Sequence, residues 1–270
     1  MNLTKHFCQL FFSICLCNAC TPQLYVPAPP NMPLAGNKGE FKGDLFLYSN
    51  EFGLQASYAV DSHCVVLVNV TGQDARTGTT TVNNTNTYYS TTANFQGDIG
   101  AGYFKKIGQR GRFEAIGGIG YGGSKTQNVI THSLLPLILS IDNINGNFAH
   151  LFAQCDVGYV NKNIELGLGL RFSNLNINGT FQSSYIGSGT TPQYTTQLGG
   201  DALFWEPAIM FAAGFEKVKL NLSFGISNKL FGPDISSQYG SIYQNMAFSF
   251  GISCNLNRKL EQINTVNKPN

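Results

Sequence analysis

Residues 164–174 read Ile-Glu-Leu-Gly-Leu-Gly-Leu-Arg-Phe-Ser-Asn. Leu166, Leu168, Leu170 and Phe172 take one parity, and Glu165, Gly167, Gly169, Arg171 and Ser173 take the other. Side chains alternate across a β-strand, so the segment has one apolar and one polar face. The same pattern runs through ten segments, at 40–49, 52–61, 64–71, 93–104, 112–123, 148–160, 164–174, 202–215, 217–227 and 246–256. The connections alternate too. Those near 62–63, 105–111, 161–163 and 216 are short, whereas 72–92, 124–147, 175–201 and 228–245 are long and rich in Thr, Asn, Ser and Gly. An even strand count with short turns at one end and long loops at the other is the layout of an outer-membrane barrel. Only the connection near Asn50 is short where that layout wants a long one.

A soluble sandwich or lipocalin-like barrel would alternate in the same way. Three features favour the membrane. Charged residues are 12% of the chain, whereas a soluble surface alone is about 25–35% charged. Segments of this length match the roughly 9–11 residues of a tilted span. The aromatics on the apolar face also sort by height. Phe41, Tyr58, Tyr103, Phe113, Tyr159 and Phe215 fall near the short-turn end, and Phe95, Tyr121, Phe172, Trp205 and Phe248 near the other. Phe95 and Tyr103 lie eight residues apart, about 20 Å along the normal once a strand is tilted by about 40°. Two such belts are expected at the two membrane–water interfaces. The fold class expected is all-β, an antiparallel transmembrane barrel of about ten strands (eight to twelve). Outer-membrane lipid is its surroundings, and both barrel termini face the periplasm.

The rest of the composition narrows the function classes. A net charge of +2 without a basic run argues against nucleic acid as a partner. No central stretch of about 18 apolar residues suggests a spanning helix. Residues 1–20 read as an export signal, with Lys5 and His6 before the apolar stretch Phe7–Cys17. Ala19-Cys20 is similar to a lipobox, which makes Cys20 the candidate lipidation site. Residues 21–38 carry Pro22, Pro27, Pro29, Pro30 and Pro33 and read as an extended periplasmic tether. The barrel is expected over 39–256, with a short periplasmic tail at 257–270. Cys64, Cys155 and Cys254 are too far apart in sequence to suggest a metal site and read as small apolar side chains.

The chain resembles the outer-membrane β-barrel proteins of Bacteroidota-type bacteria. The resemblance rests on Cys20-Thr-Pro-Gln before the Pro-rich stretch, on Lys38-Gly-Glu-Phe41 opening the first strand, and on Glu206-Pro207 followed by Gly214-Phe-Glu-Lys-Val-Lys219. Ser249-Phe-Gly251-Ile-Ser-Cys254-Asn-Leu256 looks like the C-terminal signal read by the barrel-assembly machinery, which would be a partner during biogenesis.

If the polar face is the lumen, it holds the cations Lys42, Arg112, Arg171 and Lys219 and the acids Asp44, Asp98, Glu114, Asp156, Glu165 and Glu206. Buried charges must be paired and hydrogen-bonded, so a structural charge network filling a narrow bore is expected. The lumen glycines, such as Gly118, Gly120, Gly167 and Gly169, leave room for solute or allow strand coiling. Enzyme signals are poor. His132-Ser133 are adjacent and point apart on an extended chain, His63 sits in a turn, and His150 near Asp98 or Asp156 reads as a buried pair. No catalytic, cofactor or metal site is expected. The apolar run Leu134-Leu-Pro-Leu-Ile-Leu139 in the 124–147 loop is a candidate contact for an external partner. Three functions stay open at this point. A structural or adhesive surface role without enzymatic activity is expected first, a narrow solute channel second, and an outer-membrane enzyme third.

Overall fold

The computed structural model describes residues 24–48, 51–82, 86–132, 138–185, 193–232, 236–237, 240–241 and 246–257. The signal segment, Cys20, Ser133 to Leu137 and residues 258–270 lie outside them. Ten barrel strands follow in order. They are β1 (Phe41–Tyr48), β2 (Glu51–Ala59), β3 (Cys64–Val82), β4 (Asn86–Ile107), β5 (Gly111–His132), β6 (Ile138–Val160), β7 (Ile164–Tyr185), β8 (Gln193–Gly214), β9 (Val218–Ile226) and β10 (Met246–Leu256). Each pairs antiparallel with its sequence neighbour, and β10 returns to β1 with Phe41 opposite Leu256 and Tyr48 opposite Ser249. The sheet therefore closes on itself, and closure removes the exposed edges of the ladder.

Strand length departs from expectation on one side. β3 to β8 run for 19 to 23 residues, whereas β1, β2, β9 and β10 have 8 to 11. Most of the expected long loops at 72–92, 124–147 and 175–201 are paired ladder. Their Thr, Asn and Ser content reads as loop, but neighbouring strands satisfy the backbone, and β-branched Thr and Ile suit a pleated sheet. Six strands thus form a tall wall, and four form a low lip. Asn228–Phe231 adds a short strand on β8 above the end of β9.

Outward positions are apolar and exposed: Ile99 57%, Leu151 61%, Leu168 56% and Ile209 54%. No soluble monomer exposes a contiguous apolar surface around its whole circumference, so this is a lipid-facing band. The expected aromatics all stand on that outer face. Phe41 opposes Tyr58, Phe172 opposes Trp205, and Phe248 opposes Phe224. Tyr103 stacks on His63 at 5.5 Å, and Arg110 donates to the Tyr159 hydroxyl at 2.5 Å. Cys64 and Cys155 are free and exposed on the outer face.

Residues 24–38 are the main correction. They do not lie outside the barrel as a tether but run through its lumen. Each of the four buried apolar clusters is completed by this segment. Leu24 and Tyr25 join Phe148, Leu175 and Phe204, while Val26 joins Phe46 and Tyr48. Met32 and Leu34 join Val160 and Met210, and Ala35 joins Leu67, Phe104 and Phe152. The segment leaves the lumen at the short-turn end, where Gly39 turns with a φ of 82° and donates its N–H to Ala59 O before β1 begins. A side chain at that φ would be strained.

Candidate functional site: a plugged lumen

A barrel of ten strands encloses more space than lumen side chains alone fill, and the wall here makes room for an insert by using glycine. A methyl group on Gly146 would lie 2.7 Å from Leu24 Cδ1, and one on Gly158 would lie 2.5 Å from Leu34 Cδ2. On Gly169 it would meet Met32 Cε at 2.6 Å. Gly118 and Gly122 make way for the rings of Phe152 and Phe148. The lumen glycines are thus occupied by plug and aromatic side chains.

The plug's composition explains how it is held. Proline has no N–H, and a polyproline-like chain makes no internal hydrogen bonds. Such a segment brings few donors into the lumen and leaves its carbonyls free to accept. Tyr48 donates to Pro27 O, Gln55 to Pro29 O at 2.6 Å, Gln154 to Asn31 O at 2.8 Å and Lys42 to Met32 O at 3.0 Å. In the other direction, Ala35 N donates to Glu114 at 2.8 Å and Gly36 N to Glu40 at 2.8 Å. Lys106 reaches Asn37 at 2.7 Å, and the exposed pair Lys38–Asp61 closes the lower end at 3.7 Å. The Ser62 N–H and then Lys38 hold the Asp61 carboxyl below its ordinary value.

All ten expected lumen charges are buried, with Arg171, Glu165 and Lys219 at 1% exposure or less. Five of them form two charged centres, one of which His150 joins. Glu165 receives Lys219 at 2.6 Å and Lys42 at 3.4 Å. Asp98 receives His150 Nε2 at 3.2 Å and Arg171 at 3.7 Å, while Arg171 also donates twice to Gln154 Oε1 and covers the Phe152 ring at 4.6 Å. Arg112 packs against Gly36 of the plug. Asp44, Asp156 and Glu206 depart from the expected ion-pair network, because neutral donors hold them. Ser253 and Asn221 serve Asp44, Gln154 serves Asp156, and the hydroxyls of Tyr25, Ser173 and Ser227 serve Glu206.

His150 pairs with Asp98 and not with Asp156. Gly120 sits between that pair, where a methyl group would meet Asp98 Oδ1 at 2.3 Å. His132 ends β5, and its side chain and Ser133 fall outside the described residues, as does the run Leu134 to Leu139 apart from its backbone in β6. Sequence reading missed Gln154, the whole plug, and Asn69, whose side-chain oxygen accepts from the plug's Asn31 carboxamide at 3.0 Å. The available signal was apolar Leu24, Tyr25, Val26, Met32 and Leu34 scattered among prolines, which a solvated tether has no reason to carry.

The site has one consequence: among the described residues, the plug fills the lumen that the wall glycines leave open. Between the plug and Glu51, Thr71, Asn94 and Phe148 remains a void of about 10 Å³, room for about one water molecule.

No family model matches the chain, and no curated protein matches it. Among solved structures it is similar to the translocator domain of the autotransporter NalP from Neisseria meningitidis, at 14% identity over 80% of this chain and 86% of that one, with a TM-score of 0.45. It is also similar to the outer membrane protease OmpT from Escherichia coli, at 7% identity over 80% of this chain and 90% of that one, with a TM-score of 0.49. The expectation that the chain is not an enzyme is corrected by the second likeness. A protease is among the solved barrels it is similar to. The chain is an outer-membrane-type β-barrel.

Proposed function

We propose that this chain is a sealed barrel that acts at the cell surface, an adhesin-like role carried by the projecting wall of β3 to β8. The observation that carries this reading is the lumen filled by residues 24–38, which turns a solute pathway into a closed core. The projecting half of six paired strands is then the surface available for contact. The short turns and both barrel termini face the periplasm, and the hairpin tips face outward.

Leu24 packs against Gly146 and Phe148 on the long-strand side of the lumen. Cys20 precedes it by four residues, about 14 Å of extended chain. A lipid on Cys20 would then insert into the outer leaflet, as a supplement to the barrel's own anchoring.

Two measurements test the reading. The purified full chain in planar bilayers is expected to be electrically silent, and stepwise conductance would contradict a sealed bore. The same protein in detergent, applied to a printed array of glycans and matrix proteins, is expected to bind. A variant lacking residues 128–142 is expected to lose that signal, and no binding by the full chain would end the surface-interaction reading.

A further inference from the structure

The outer face of the wall, from the upper aromatic belt upward, is hollowed. Cross-strand partners define three rows there. The lowest is Phe95, Gly123, Asn147 and Asn178 across β4 to β7. Above it lie Ala93, Lys125, Asn145 and Thr180, and above those Thr91, Gln127, Asn143 and Gln182. These positions alternate with Ser124, Thr126 and Ile144, which are buried on the lumen side, so the rows face outward. Two adjoining depressions of about 540 and 510 Å³ lie over them and share Lys125, Asn145 and Thr180. Each is within the range of small-ligand sites.

The residue choice is unusual for strands. Asn is disfavoured in β-structure, yet β6 places Asn143, Asn145 and Asn147 on successive outward positions. A merely solvated wall would carry mixed charges. The carboxamides of Asn145, Asn147 and Asn178 make no hydrogen bond among the described residues, and Lys125 makes no ion pair there. Gln127 does donate to Asn143 at 3.0 Å.

We propose that this hollow binds the phosphorylated sugar headgroup of an outer-leaflet glycolipid. Each carboxamide offers an acceptor and two donors in one plane, which suits adjacent sugar hydroxyls. Phe95 is 54% exposed at the lower edge and offers a flat apolar face to a sugar ring. Gly123 and Ala93 keep the floor low enough for a ring to approach the backbone. Lys125 is the point charge for a phosphate. Asp74, opposite Ala93 on β3, is an acceptor for a hydroxyl at the far edge.

Position selects a lipid over a free glycan. The row directly below contains Tyr121, opposite Gly97, at the upper belt, and the lipid-facing Ile119 and Leu151 follow. A lipid whose chains lie along that band carries its headgroup into the hollow. The proposal rests on the outward orientation of the long hairpins given above, but not on the adhesive role.

Native mass spectrometry of the full chain in detergent, titrated with rough-type lipopolysaccharide, tests it. One retained copy is expected. Lys125→Gln combined with Asn147→Ala and Asn178→Ala is expected to weaken binding at least about ten-fold, the scale of a lost hydrogen bond to a charged group. Asn174→Ala, outside the hollow on the same strand, is expected to bind as the parent does. Heat-modifiable gel migration identifies folded variants. Equal binding by the folded triple variant overturns the proposal. So does failure of the deacylated, phosphorylated oligosaccharide to compete at excess, because acyl chains alone would then account for binding. Oligosaccharide affinity equal to that of the intact lipid overturns the membrane source. None of these results changes the bilayer conductance or the array signal, so failure here is separable from failure of the sealed-barrel reading.

Discussion

The Tyr25 hydroxyl donates a 2.9 Å hydrogen bond to Glu206 Oε1, joining two buried residues 181 positions apart in sequence. The plug thus satisfies a wall carboxylate that would otherwise rely on Ser173 and Ser227. Tyr25→Phe keeps the ring in its cluster with Phe148 and Phe204 and removes only the donor. The expected cost is about 1–3 kcal/mol, the penalty of a buried acceptor left short of a partner. Tyr25→Ala removes the ring as well and should cost about 3–5 kcal/mol. Urea unfolding in detergent, followed by gel migration, checks the order; equal stability of the two variants would mean that the ring contributes nothing.

Deletion of residues 24–35 should convert a silent barrel into a conducting one. All four buried clusters lose members, and the remaining lumen is polar and lined by glycine. Planar-bilayer recording of the folded deletion variant is the check. A folded variant that stays silent would show that the plug does not close the bore.

Gly167 and Met32 are expected to be coupled. A methyl group on Gly167 would lie 2.9 Å from Met32 Sδ and 3.3 Å from Met210 Cε, both flexible side-chain atoms. Gly167→Ala should cost about 1–3 kcal/mol by overpacking. With Met32→Ala already present, the same change should cost less. A double-mutant cycle with zero interaction energy would remove the plug from that place.

The outward face is tested at Leu168, which is 56% exposed among the lipid-facing residues near the start of β7. Leu168→Arg should cost about 2–4 kcal/mol in a bilayer, the figure for a cation near the midplane of a membrane barrel. The partner experiment is Asn176→Arg, four residues beyond the belt residue Phe172 on the same strand, which should be tolerated. Folding yield into lipid vesicles measures both, and equal yields would argue against a lipid-facing band at Leu168.

Cys20→Ala should abolish incorporation of labelled palmitate, and unchanged labelling would refute lipidation. If the plug runs as described, an epitope placed after Cys20 should also be accessible to antibody on intact cells, because Leu24 lies on the long-hairpin side. Accessibility only after the outer membrane is opened would invert that topology.

Alternation in Leu166 to Ser173 and its repeats was enough to determine ten antiparallel strands, the lipid-facing parity and the inward turn of Lys42, Asp98, Arg171 and Glu206. Parity is a local property, because a period of two leaves each side chain no choice of face. Partner choice is not local. His150 met Asp98 and not Asp156 because the register of β4, β5 and β6 brings Asp98, Gly120 and His150 side by side, and Gly120 leaves the gap between them. The polar upper halves of β3 to β8 were illegible for a related reason: Thr, Asn and Ser serve loops and solvated strands equally, and only pairing across the wall distinguishes them. The plug was hidden most deeply. Its prolines report extended backbone wherever it lies, and its location depends on Leu24, Met32 and Leu34 finding the spaces left at Gly146, Gly167, Gly169 and Gly158. Those spaces exist only after closure of the barrel, when one short segment and ten strands come to share a single interior.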